Sequence, residues 1–120
     1  MFLNHGNEIK MSKKDQCLVY ITVKNEKEGQ YIAKLAIENN LAACGNLLPN
    51  MKSIYKWKNK LEIENESVLI LKTTNQKYKD LEGLILKNHS YETPCVIKLP
   101  IQDGNKSFLY WINETVDITN

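Results

Sequence analysis

The chain has 120 residues, long enough for one domain that buries a sizeable core without disulfide support. With 42% hydrophobic residues, 25% charged residues and a net charge of +2, it is neither a disordered chain nor an electrostatic match for nucleic acid or anionic lipid. All 16 basic residues are Lys, so the forked guanidinium favoured in phosphate and base recognition is missing, and no apolar run approaches membrane-spanning length.

Residues 1–16, MFLNHGNEIKMSKKDQ, lack the apolar centre of a secretory signal and are expected to form a polar, flexible leader, leaving residues 17–120 as the domain. Cys17, Cys44 and Cys95 are an odd number without CxxC spacing, which points to reduced thiols in a cytoplasmic setting rather than disulfides or a structural zinc site. CLVYITV, residues 17–23, is apolar on both alternating faces and reads as a strand covered on both sides. Asn25, with Glu28 three residues on, predicts a capped helix through Ile32, Ala36 and Ile37 that ends at Asn39-Asn40.

The next stretch is too long for one strand. Lys58-Asn59 supplies a two-residue turn, giving antiparallel arms over about 43–57 and 60–73 with Tyr55 opposite Glu62, Ser53 opposite Glu64 and Ile54 opposite Ile63. Pro49 cannot donate to a ladder and marks a bulge, bend or edge, and Gly45 permits similar distortion. Tyr78, Leu81, Leu84 and Ile85 predict a second helix ending near His89. Thr93 before Pro94 is held extended, and CVIKLPI then alternates with Cys95, Ile97, Leu99 and Ile101 on one face. A last helix, capped by Asn105, carries Phe108, Trp111 and Ile112.

The order β-α-β-β-α-β-α predicts an α+β, ferredoxin-like split βαβ domain with a long central hairpin and an added C-terminal helix. Helices cover one face of such a sheet. The first strand has no polar face to give to water, and the hairpin projects beyond a compact core, so a homo-oligomer is expected.

LAACGNLLPNMKSIYKWKNKLE, VLILKT, HSYETP and LPIQDGNKSFLYWI, in that order, resemble the CutA divalent-cation tolerance family, and the likeness covers about residues 17–116. The resemblance implies a non-catalytic homotrimer built through the hairpins and involved in copper or other divalent-cation tolerance or response. The alternative it implies is a PII-like regulatory trimer that binds a small ligand in clefts between subunits. An acylphosphatase-like hydrolase shares the fold plan but needs an Arg that this chain lacks.

The copper site described for bacterial family members uses a first-strand Cys, a His at the end of the second helix and a Glu after the Tyr-x-x-Pro turn. Those positions here are Ile21, Asn88 and Cys95. His89 and Cys95 are the candidate metal ligands, a soft pair suited to Cu(I) or Zn and in need of partners from other copies. Against that, His89 continues the inner stripe of its helix, where a structural hydrogen bond is expected, and Cys95 shares a face with Ile97 and Leu99, where a thiol packs as a small hydrophobe. Glu62, Glu64 and Glu66 alternate on one face of the hairpin and read as a solvated row. Cys44 lacks a visible base and reads as core. Tyr55, Trp57, Tyr91 and Trp111 match family aromatics; they read either as packing between the hairpins and the C-terminal helix or, for Tyr55, Trp57 and Tyr91 with Lys72, as the lining of a cleft for a small anionic ligand.

Overall fold

The computed structural model describes residues 16–117. Its elements are β1 (Gln16–Val23), α1 (Glu26–Glu38), β2 (Cys44–Trp57), β3 (Lys60–Thr74), α2 (Asn75–Asn88), β4 (Val96–Pro100) and α3 (Lys106–Val116). Gln16, assigned above to the leader, is instead the first residue of β1, 1% exposed and paired with Thr74; the rest of the expected leader lies outside the described residues.

The four strands form one antiparallel sheet in the order β2-β3-β1-β4. β1 is therefore central, and its alternation sorts the two faces. Val19, Ile21 and Val23 meet Ile32 and Ala36 of α1, Leu81 and Ile85 of α2, and Leu69 and Leu71 of β3 in a core sealed from water. Burial of side chains this size stabilises by roughly 1.5–3 kcal/mol each. α1 starts where expected: the Asn25 side chain accepts from the Glu28 N–H at 2.9 Å, and Glu28 reaches back to the Lys24 N–H at 3.0 Å. Asn40 takes the left-handed conformation after the helix, at φ 56°. α3 packs Leu109, Ile112 and Val116 against Ala43, and its Asn113 accepts from Gln16 Nε2 at 2.9 Å. Asn105 is the N-cap of α3 by position, but its side chain donates to Ser107 Oγ rather than capping the helix.

The outer face of the sheet differs from expectation at β4. Leu18 pairs with Leu99 and Tyr20 with Ile97, so the apolar row of β4 lies on the side away from the helices. Ile97 is 51% exposed and Leu99 is 44% exposed, while Val96 packs on the core. Cys95 is accordingly half-buried rather than a core thiol. The cause is parity: α1 and α2 cover only the face that carries Val19 and Ile21.

The hairpin makes the molecule long, 56 × 28 × 22 Å. Tyr55 faces Glu62, Ser53 faces Glu64 and Ile54 faces Ile63, and the register shifts between Leu48 and Met51, at Pro49 and Asn50. Asn50, at φ 59°, absorbs the extra residue of this bulge. A Cβ on Gly45 would stand 2.7 Å from Leu71 Cδ2, so a larger residue there would require the Leu71 side chain to move. Beyond Ser67 the arms leave the helices behind, and Leu61 and Ile63, on the parity of Leu69 and Leu71, become 72% and 60% exposed.

Lys58 and Asn59 close the hairpin at φ 50° and 68°, the paired positive values of a type I′ turn. Asn59→Val, which puts a β-branched side chain into that conformation, is expected to cost about 1–2 kcal/mol, whereas Asn59→Gly is neutral or slightly stabilising. Urea unfolding of the two variants checks the difference.

Candidate functional site

A cleft of about 800 Å³ opens where the hairpin passes the loop between α2 and β4. Its walls are Tyr55 and Trp57 from β2, Glu64 and Glu66 from β3, Tyr20 and Thr22 from β1, and Ser90 to Thr93 with Cys95 from the loop. Three anchors hold that loop. Glu28 Oε2 accepts from the Ser90 N–H at 2.8 Å. The imidazole of His89, its side chain fully buried, stands with Nε2 2.8 Å from the Thr22 carbonyl and Nδ1 3.1 Å from the Tyr91 N–H. A carbonyl only accepts and an amide only donates, so Nε2 carries the proton and Nδ1 is the acceptor. The Tyr91 ring lies 4.8 Å from the imidazole, and its hydroxyl donates to Glu66 Oε2 at 2.5 Å. Ser53 donates to the other carboxylate oxygen.

Glu66 is thus 8% exposed and carries two hydroxyl donors. The expected solvated row of carboxylates ends there: Glu64 is exposed, Glu66 is not. Burial, and then the Glu66 carboxylate it serves, pushes the Tyr91 hydroxyl above its ordinary range, so the phenol keeps its proton and remains a donor. Burial works to raise Glu28, but hydrogen bonds from the Lys24 N–H and from Ser90, with His89 nearby, outweigh it and hold the carboxyl below its ordinary value.

Two of the expected site assignments change. Lys72 does not line the cleft; it pairs with Cys44 and Leu18 and donates to Asn46 Oδ1. Six residues separate it from Glu66 along β3, about 20 Å at strand spacing. An anionic ligand also suits the cleft poorly, because Glu64, Glu66 and Glu92 line it against a single cation, Lys52, whose Nζ is bound to Asn65 Oδ1 at 2.8 Å. The Tyr55 hydroxyl reports the same field: desolvation first, then Glu64 and Glu62, raise its pKa. Tyr55, Trp57 and Tyr91 do meet at this cleft.

The metal assignment does not fit the donors present. Both nitrogens of His89 are committed, and an ion on Nδ1 would face the Tyr91 amide hydrogen. Of the three positions implied by the family's copper site, Ile21 is in the core with no donor atom, Asn88 Nδ2 donates to the Leu84 carbonyl at 2.8 Å, and only Cys95 offers a soft ligating atom. Among the described residues, no three His, Cys, Asp or Glu side chains converge for a metal ion. Cys95 lines the cleft, which His89 does not.

Sequence reasoning missed Glu66 as a special carboxylate and Glu28 as more than a cap. The signal for Glu66 was its place at the inner end of the row, next to the apolar run of β3. For Glu28 nothing local pointed to Ser90, which lies 62 residues away.

The family model described as CutA1 divalent ion tolerance protein matches residues 17–115. The chain belongs to the CutA family. It is 41% identical over 99 residues to the divalent-cation tolerance protein CutA of Archaeoglobus fulgidus, covering 82% of this chain and 96% of that one. It is 37% identical over 97 residues to that of Thermus thermophilus, covering 81% and 94%. Protein CutA of Homo sapiens is 37% identical, and the match spans 82% of this chain but 55% of that longer one. Among solved structures, CutA1 of Ehrlichia chaffeensis superposes with a TM-score of 0.83 at 31% identity, covering 88% and 98% of the two chains. The structure described as the periplasmic divalent cation tolerance protein CutA of Archaeoglobus fulgidus gives 0.82 at 40% identity, covering 84% and 98%. The small α+β fold, with its four-stranded antiparallel sheet and three helices, is thus the fold of CutA structures.

The Glu28 anchor sets a pH dependence. With its folded pKa below the ordinary value near 4.5, its contribution to stability is whole above that value and is lost as the pH falls through the lowered one. Glu28→Gln is expected to cost about 1–3 kcal/mol at pH 7 and progressively less toward pH 3, measured by urea unfolding of both proteins across that range.

Proposed function

We propose that this chain works in divalent-cation tolerance as a non-catalytic homotrimer of ferredoxin-like subunits, without holding copper or another ion on His89 and Cys95. The observation that carries the assembly is the uncovered apolar surface: Leu99 and Ile97 on the sheet, and Ile54, Leu61 and Ile63 on the hairpin, all 44% exposed or more. Surface of that kind on a projecting two-stranded arm is a liability for a lone chain and an interface for several. Trimeric number rests on the family resemblance. A cytoplasmic location rests on the three free thiols, although the archaeal relative is described as periplasmic. A non-catalytic role is supported by side chains already engaged in holding structure: the Tyr91 phenol bonds the Glu66 carboxylate, and the His89 imidazole bonds the Thr22 carbonyl and the Tyr91 amide.

A second reading is favoured by the cleft itself, whose size and aromatic walls suit a small molecule: a regulatory trimer, PII-like, that responds to a ligand.

Native mass spectrometry of the reduced chain tests the first reading. Trimers are expected, with no stoichiometric uptake of Cu(I) or Zn(II) that Cys95→Ala abolishes. Leu61→Lys with Ile63→Lys is expected to shift the population toward monomer. A monomeric parent chain, or three ions lost on changing Cys95, would overturn it.

A further inference from the structure

The cleft carries negative charge that the described chain leaves without a counter-ion. The oxygens of Glu66, a residue 92% withdrawn from water by its 8% exposure, are met by the hydroxyls of Ser53 and Tyr91, both neutral. Among the described residues no Lys or His stands within ion-pair distance of it; the ion pairs formed are Lys79 with Glu82 and His89 with Glu28. A carboxylate in such surroundings is costly unless a cation meets it. Glu64 and Glu92 face the same space, and the one cation lining it, Lys52, is turned to Asn65.

The chemistry of the missing cation can be narrowed. A divalent metal needs several converging ligand atoms, and two hydroxyl hydrogens already point at Glu66 where such an ion would sit. An ammonium needs only the remaining lone pairs of the carboxylate. Alkyl carbon next to that charge is suited to the rings of Tyr55, Trp57 and Tyr91, and aromatic walls attract organic cations through their π-faces. A volume of about 800 Å³ falls in the range of small-ligand sites.

We propose that this cleft receives the ammonium group of a small organic amine, its charge against Glu66 and its carbon skeleton against Tyr55, Trp57 and Tyr91. The proposal rests on the ligand-cleft reading above and names the ligand class. A lysine from a second copy would bring the same chemistry, so the test separates the two sources.

The test is a ¹H–¹⁵N NMR titration of the full chain, at fixed ionic strength, with n-butylammonium chloride and with sodium butyrate as the charge control. A saturable response of the Tyr91 amide and the Trp57 indole N–H to butylammonium is expected, and none to butyrate. Glu66→Gln, its fold checked on the remaining amides, is expected to weaken binding about tenfold or more. Trp57→Leu, on the projecting hairpin away from the core, should weaken it too and serves if the first variant fails to fold. Absence of a saturable site, an equal response to butyrate, or affinity unmoved by either variant would overturn the proposal. So would a chain that ignores butylammonium while Glu66→Gln loosens its assembly in sedimentation, since the cation would then be a lysine of the second copy. A monomer that binds butylammonium keeps this inference and removes the assembly reading; a trimer without an amine site does the reverse.

Discussion

Everything around the cleft hangs on one buried imidazole. His89 ends α2, and its ring spans from the carbonyl of Thr22 on β1 to the amide of Tyr91 in the following loop. Those two contacts tie the central strand to the loop, and the loop then delivers the Tyr91 hydroxyl to Glu66 on β3. Glu28 braces the same loop from the first turn of α1 through Ser90. Three elements distant in sequence are thus locked by side chains whose donors and acceptors are matched one to one. That matching matters energetically where the groups are withdrawn from water, as the His89 ring and the Glu66 carboxylate are, because an unpaired one would cost about 1–3 kcal/mol.

The second constraint is the parity of β1. Strand side chains alternate, helices cover one side only, and β1 is apolar on both. Antiparallel registry transmits that property to its neighbour: Leu18 and Tyr20 bring Leu99 and Ile97 of β4 to the outer side with them. The hairpin adds the same problem in another direction, since it outruns the helices and exposes residues that would be core on a shorter strand. Fold and assembly are therefore one question in this chain, and the cleft lies on the face where that question is open.

Local patterns carried the elements. The alternation of residues 17–23, the Asn25 and Glu28 pair, the Lys58-Asn59 turn and Pro49 each state a backbone preference that tertiary structure did not need to override. The hairpin register followed from the turn alone, because a two-residue loop leaves one pairing. What remained hidden depends on which side of the sheet the helices take. The apolar alternation of β4 is the same whether Ile97 and Leu99 face in or out, and so the half-buried position of Cys95 was not legible. Lys72 was drawn toward the cleft aromatics by resemblance, yet distance along a strand is arithmetic, and it stands far down β3 from Glu66. Glu28 and Ser90 meet only because α1 and α2 pack side by side, which no short window of sequence encodes.

The departures from the family's copper positions share a physical pattern. A ligand side chain must keep a lone pair free, and two of the three substituted positions here have been absorbed into structure. Ile21 fills the core between the helices, and Asn88 turns its amide back onto the Leu84 carbonyl at the end of α2. Even His89, which retains the chemistry of a ligand, has both nitrogens committed to holding the loop. Of the three substituted positions, Cys95 alone keeps a soft ligating atom, and one sulfur does not make a site. The charge left without a counter-ion among the described residues lies in the same cleft that Cys95 lines, at Glu66, with the rings of Tyr55, Trp57 and Tyr91 around the same space. Carboxylate oxygen suits hard metal ions as well as ammonium groups, so it is the two hydroxyls already on Glu66 and the aromatic lining, not the donor type, that favour the ammonium proposed above.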